Sequence, residues 1–216
     1  MSIAILPWIL SGLLLVVAYL FGSIPTGYLA GRFLKGIDIR EYGSGSTGAT
    51  NVLRTLGKQA AIAVLAIDLF KGVAAVAQIY AFYAFFADPI VPLSWKPWLV
   101  TATAVAAILG HSKSIWIKFT GGKSVATSLG VLLVMNPAVA LGTLGIFAVF
   151  FAISRIVSLS SIVAAIGVSI LAILLKQPLP YIVLTGIAGV YVIYLHRTNI
   201  KRLLAGTEPK IGQTLQ

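Results

Sequence analysis

Residues 60–86 read AAIAVLAIDLFKGVAAVAQIYAFYAFF. At about 1.5 Å per helical residue, this run outreaches the roughly 30 Å hydrocarbon core of a bilayer. Only Asp68 and Lys71 interrupt it with charge. They stand three apart, so a helix puts them on one face. Pairing is the cheap way to hold two charges in lipid. One reading of them is structural; the other is a part in substrate entry or proton movement.

Outward from this run, the chain repeats the pattern. Of its 216 residues, 59% are hydrophobic and only 10% charged, and the mean hydropathy is +1.00. No soluble core needs so much apolar surface, so the expected fold is an all-α integral membrane protein. Further apolar stretches fall at 3–30, 97–112, 124–135, 138–153, 160–175 and 180–195. The expected architecture is seven transmembrane helices, some short, forming one domain over residues 1–216. No polar block between them is long enough to fold alone. The stretch at 124–135 is too short to cross 30 Å unaided at about 1.5 Å per residue. Five spans, with the short pieces folded as re-entrant hairpins, is the alternative count. Pro25 predicts a break near the inner end of the first helix. The run at 3–30 lacks a preceding Lys or Arg and a clear cleavage site, so it reads as a span rather than a signal peptide.

Charge sets the expected orientation. Sixteen Lys and Arg against five acids give +11. With the N-terminus outside, the loops at 31–58, 113–123 and 154–159 and the tail from 196 face the cytoplasm. These segments hold most of the basic residues, while only Lys96 and Lys176 fall in outside loops. That asymmetry follows the positive-inside rule, and the excess also suits anionic lipid. Nucleic acid is not an expected partner, because the basic residues are spread over short loops with no basic domain. There is no cysteine, which excludes disulfides and thiolate chemistry.

The polar segments gather on that one side. The first, GIDIREYGSGSTGATNVLRTLGK at 36–58, combines glycines, hydroxyls and Arg54, with no carboxylate after Glu41. Many backbone N–H groups and few acids make a phosphate cradle. Ser44, Gly45, Thr50, Asn51 and Arg54 are the candidate donors. Thr50 or Asn51 is the expected N-cap of the helix that follows, with Arg54 one turn inside it. A plain flexible loop is the competing reading. The second segment runs from Gly110-His111-Ser112-Lys113 to Gly121-Gly122-Lys123-Ser124. It is not a nucleotide-hydrolysing P-loop, since Ile117 stands where that motif needs glycine. Lys123 remains a candidate anion ligand. The third, His196 to Glu208, brings His196 and Asn199 three apart, on one side of a helix. A basic membrane-exit tail is its plainer reading. The serines at 158, 160 and 161 open the sixth apolar helix. Two histidines and five scattered acids form no expected metal site.

Taken together, GSGSTGATNVLRTLGK, GHSKSIWIKFTGGKSVAT and HRTNIKRLLAGTEPKIG resemble, in order, the three motifs of the bacterial acyl-phosphate:glycerol-3-phosphate acyltransferases of the PlsY type. The resemblance covers nearly the whole chain. Ser46 and Ser124 depart from the family's usual asparagine and glycine but stay small or polar. The HxxxxD pattern of other glycerolipid acyltransferases is absent, with Trp116 five after His111 and Lys201 five after His196. The resemblance implies an inner-membrane acyltransferase that joins acyl phosphate and glycerol 3-phosphate without coenzyme A, cofactor or metal. It also implies that Lys123, Ser161, His196 and Asn199 serve glycerol 3-phosphate. Both substrates are anions, which the cationic loops suit independently. His196 is the candidate general base; a substrate phosphate oxygen is the alternative. A small anion transporter and a lipid-binding scaffold are the rival classes.

Overall fold

A computed structural model describes residues 5–86 and 90–212. Positions 3 and 4 of the first expected span lie outside them. All regular structure among the described residues is helical, apart from one isolated antiparallel bridge between Ser114 and Thr120. The chain divides into two compact units, Met1–Met135 and Asn136–Gln216.

The first unit opens with α1 (Leu6–Ser23) and α2 (Thr26–Lys35). Pro25 breaks them apart, as the sequence predicted. Ile24 before it is extended, with ψ 113°, because a residue before proline is pushed out of the helical region. A 3-10 turn (Ile39–Glu41) leads into α3 (Ala49–Leu56), and α4 (Lys58–Phe85) follows at once. Gly57, at φ 95°, separates α3 from α4, a left-handed conformation that favours glycine. A second 3-10 turn (Leu93–Trp95) precedes α5 (Lys96–Ser112), and α6 (Val125–Met135) closes the unit.

Small residues set the helix spacing. A Cβ on Gly22 would collide with the backbone of Ala107, and one on Gly110 with Tyr19, so α1 and α5 nearly touch. The same holds for Gly72 of α4 against Thr127, and for Gly130 of α6 against Leu69. Close backbone approach replaces the hydrophobic driving force that lipid does not supply.

The second unit consists of α7 (Pro137–Ser154), α8 (Val157–Leu174), α9 (Leu179–Leu195) and α10 (Arg197–Leu204). Asn136 caps α7 by accepting from the Val139 N–H at 3.0 Å. Its amide nitrogen donates to Gln177 at 2.9 Å, which ties the α7 start to the α8–α9 turn.

Five described helical stretches are long and apolar enough to cross a membrane, or six if the bent pair α9–α10 counts as one. Among the described residues, each of the seven predicted apolar runs is mainly helical, but α6 is only 11 residues long. The 31–58 segment is not all loop: α2 runs to Lys35, and the helix expected after Thr50 or Asn51 is α3, which starts at Ala49.

Candidate active site

In the first unit, Asn51 organises the first polar loop from inside. It is 1% exposed. Its Oδ1 accepts from the Ser44 N–H at 2.8 Å. Its Nδ2 donates to the carbonyls of Ile39, Tyr42 and Ser46, at 3.2, 3.0 and 2.9 Å. A Cβ on Gly43, which has φ 58°, would overlap Asn51 Oδ1, so glycine is required there. The expected N-cap is corrected: Gly48, not Thr50 or Asn51, caps α3, with no side-chain bond. The Asn51 amide is committed to the loop backbone and leaves that role to the chain. Ser44 and Gly45 stand exposed on the loop it shapes.

Arg54 rides on α3, one turn inside its start as expected, which in this short helix is also the last turn. Val52 and Ile39, with Ala61 and Val64, form the buried core beneath that helix. Lys35 donates to Thr55 O at 2.7 Å, placing a cation at the C-terminal end of α3, where the dipole favours it. Thr50 and Arg54 are both half-buried.

Arg40 joins the first loop to the second. Its Nη1 donates to Ile117 O and Thr120 Oγ1, each at 3.1 Å. Its Nε and Nη2 hold the Asp38 carboxylate at 2.9 and 2.6 Å. These bonds from Arg40 lower the Asp38 pKa from the ordinary 3.8 to about 2. The Gly121-Gly122-Lys123 run folds back over the end of α5. The Gly122 N–H donates to His111 O at 3.2 Å, and a Cβ at Gly122 would strike the His111 ring. Lys123 is half-buried on that turn.

Beneath it lies the buried charge at depth. Lys71 Nζ meets Asp68 Oδ1 at 2.9 Å, so the pairing reading is what the structure bears out. Lys71 also donates to Ile24 O at 2.9 Å, a carbonyl that the Pro25 break leaves without its helical partner. Thr26, the first residue of α2, donates to Asp68 Oδ1 at 3.0 Å. The cation thus sits at the C-terminal end of α1 and the carboxylate at the start of α2, the signs each helix end favours. His111 Nδ1 lies 3.6 Å from Asp68 Oδ1.

In the second unit, Ser161 is buried and donates to Val157 O at 2.8 Å, within the first turns of α8. His196 and Asn199 do not share one helix, which corrects the sequence reading. His196 is the joint between α9 and α10, where the axis bends by 60°. Its Nδ1 lies 2.8 Å from Val192 O. Neither residue is the wet tail of the plainer reading, as both are buried. Asn199 Nδ2 donates to Glu208 Oε1 at 2.6 Å. Ser158 donates to the same oxygen at 2.7 Å, and Arg202 Nε to Oε2 at 2.6 Å. Burial disfavours the Glu208 charge, but these three donors outweigh it and hold the carboxyl below its usual range. Because a carboxylate only accepts, the Asn199 amide nitrogen must face it, which fixes that side chain's rotamer.

A family model described as glycerol-3-phosphate acyltransferase matches residues 12–206. The chain belongs to the glycerol-3-phosphate acyltransferase family. Among its curated members, the glycerol-3-phosphate acyltransferase of Rippkaea orientalis is 63% identical over 96% of each chain. That of Synechocystis sp. is 62% identical over 93% of this chain and 90% of its own. Among solved structures, PlsY (YgiH), described as an integral membrane glycerol 3-phosphate acyltransferase, matches in its glycerol 3-phosphate form. The TM-score is 0.83 with 36% identity, over 94% of this chain and 96% of that one. Its lysophosphatidic acid form matches at a TM-score of 0.80. The resemblance to the PlsY type holds.

Reading this family member's sequence alone missed three residues that hold the loops. Asp38 and Arg40 stand two apart, a spacing that signals a tight Asx turn. Glu208 lay in the third quoted segment, but its partners Ser158 and Asn199 are separated from it by 50 and 9 positions. His111 was named only as part of its segment. Among the described residues, no three His, Cys, Asp or Glu side chains group so as to hold a metal.

Proposed function

We propose that this chain transfers a fatty acyl group from acyl phosphate to the sn-1 hydroxyl of glycerol 3-phosphate. The products are 1-acyl-glycerol 3-phosphate and inorganic phosphate, and the step opens bacterial phospholipid synthesis. One observation carries the reading. The fold is shared, over nearly the full length, with a protein solved in a glycerol 3-phosphate form and a lysophosphatidic acid form. Those are the acceptor and the product of one acylation.

The proposed chemistry needs little from the protein beyond placement and charge. The acceptor oxygen attacks the acyl carbonyl carbon, and the bond from that carbon to the phosphate oxygen breaks. Phosphate leaves readily, so orientation and stabilisation of developing negative charge are the main demands. Ser44, Gly45 and Thr50 offer donors to the acyl-phosphate head, on a loop that Asn51 shapes. Arg54 supplies a planar fork to it. Lys123, Ser161, His196 and Asn199 serve glycerol 3-phosphate, and Arg54, Lys123, His196 and Asn199 act at the reacting atoms. His196 takes the hydroxyl proton as general base. No cofactor or metal enters this scheme. The chain works as a single membrane domain and a functional monomer, with seven spans that include the short α6. Its N-terminus lies outside, and its C-terminus and site face the cytoplasm at the bacterial inner membrane.

Purified protein in detergent, given palmitoyl phosphate, should release inorganic phosphate only when glycerol 3-phosphate is added. A transporter or a scaffold would release none. The proton's destination is read from the pH–rate profile of His196→Gln. Loss of the limb near neutral pH is expected. A limb that persists means that His196 is not the base.

A further inference from the structure

We propose that residues 113–120 form a wedge seated in the head-group region of an anionic leaflet. The hairpin is small and tightly closed. The Ser114 N–H donates to Thr120 O at 3.0 Å and the Phe119 N–H to Ser114 O at 2.8 Å. Lys118 and Phe119 both hold left-handed backbone, at φ 59° and 55°, uncommon for side chains of this size. Within that hairpin, Ser114 and Ile117 point inward and are buried. Ile115, Trp116 and Phe119 point out, 47%, 63% and 58% exposed. Lys113 and Lys118 are exposed beside them. Apolar and aromatic side chains among lysines fit a surface that is greasy below and negative above.

A second observation places this patch at a membrane boundary. The remaining tryptophans, Trp8, Trp95 and Trp98, lie near the N-terminal ends of α1 and α5, where the Trp8 and Trp95 rings meet at 4.3 Å. Lys96 stands over the rings of Tyr80 and Tyr83 at that same end, at 4.7 and 5.5 Å. Such amphipathic rings gather at the edge of the hydrocarbon. The segment Leu93–Ser112 has 20 residues, which at about 1.5 Å each matches a core of roughly 30 Å. Trp116 therefore stands one membrane thickness from the other three, at the opposite interface. Tyr19 OH donates to Lys113 O at 2.7 Å and Arg40 grips Ile117 O and Thr120 Oγ1, so the wedge is held on two sides. It also runs directly into Gly121-Gly122-Lys123.

The test reads depth, not acyl transfer, so it is independent of the proposed reaction. Trp8, Trp95 and Trp98 are changed to Phe, leaving Trp116 as the sole tryptophan. The protein is reconstituted in vesicles containing phosphatidylglycerol and phosphatidylcholine. Lipid brominated near the head-group end of the acyl chain should remove most of the Trp116 emission. Lipid brominated near the methyl end should remove less, and aqueous iodide little. Lys113→Gln with Lys118→Gln should red-shift the emission in anionic vesicles and leave it unchanged in pure phosphatidylcholine. Strong iodide quenching with no effect of bromolipid overturns the proposal and indicates a wet or protein-docking loop. Quenching greatest at the methyl end overturns it as well. Equal emission of the wild-type hairpin and its lysine variant in both vesicle types removes the anionic part. Should the triple Phe variant not fold, Phe119→Cys in this cysteine-free chain carries a polarity-sensitive dye to the same comparison.

Discussion

Arg54 tests whether geometry or charge alone would grip the proposed donor phosphate. It projects from a short helix whose Val52 shares a buried cluster with Ile39 and Val64. Arg54→Lys keeps the charge and loses the planar fork. The expected outcome is a fall of more than about tenfold in kcat/KM for palmitoyl phosphate; near-normal turnover refutes the bidentate role. Asp38 gives a prediction with a pH sign. Its folded pKa is lowered to about 2 from 3.8, chiefly by the bonds from Arg40. A lowered carboxyl contributes stability above its unfolded pKa and loses it as pH falls through the folded one. The wild type should therefore melt above Asp38→Asn near neutral pH in detergent. That gap should close as pH drops from about 4 toward about 2. A gap that stays constant over this window means the carboxylate is held by packing rather than by Arg40. Asn51 shows what the sequence could and could not reveal at this scale. Its neighbourhood was legible as a donor-rich loop. Its role was not, because the partners of its amide, Ile39, Tyr42 and Ser46, are backbone carbonyls that any residue type presents.

Helices in this chain are positioned by close backbone contact, and glycine identity is where that shows. A Cβ at Gly72 would collide with Thr127 O, and one at Gly130 with Leu69 O, whereas Gly12 has nothing within 4 Å. Gly72→Ala forces α4 and α6 apart, at a cost of about 1–3 kcal/mol, typical of overpacking. Its melting temperature should fall by several degrees, while Gly12→Ala, in the same detergent, should match the wild type. Equal behaviour of the two would mean that the α4–α6 seam is not tight. Elements were legible in the sequence where their cause is local. Pro25 ends α1 because proline restricts the residue before it, and long apolar runs become helices because lipid leaves backbone groups no other partner. The short helix after the first polar loop was legible too, with its cap read two or three residues late: α3 begins at Ala49 and is capped by Gly48. One feature was hidden for the opposite reason. His196 and Asn199 carry helical spacing, yet the axis bends by 60° between α9 and α10, and the carboxylate that holds Asn199, that of Glu208, comes from beyond α10.

At the scale of the whole chain, orientation reduces to parity. The first polar loop ends where α4 begins, and the third follows α9. Between them run α4, α5, α6, α7, α8 and α9. If all six cross, the first and third loops lie on one side. If α6 alone fails to cross, they lie on opposite sides. With 11 residues, α6 covers about half of a 30 Å core at 1.5 Å per residue. It can complete a crossing only if the bilayer thins beside it or flanking polar backbone is sheltered against other helices. The basic residues argue that it does. Arg54 and Lys58 in the first loop, and Arg197, Lys201 and Arg202 in the third, would otherwise put strongly positive segments on both faces, against the retention of cationic loops in the cytoplasm. The chain has no cysteine, so single cysteines report without background. Ser46→Cys and Lys201→Cys should react with a membrane-impermeant maleimide in inside-out vesicles and stay unlabelled in right-side-out ones. Lys176→Cys, between α8 and α9, should do the reverse. Labelling of Ser46→Cys and Lys201→Cys from opposite faces would end the proposed seven-span topology. It would also make α6 a re-entrant segment and leave the two proposed anionic substrates without a common side of approach.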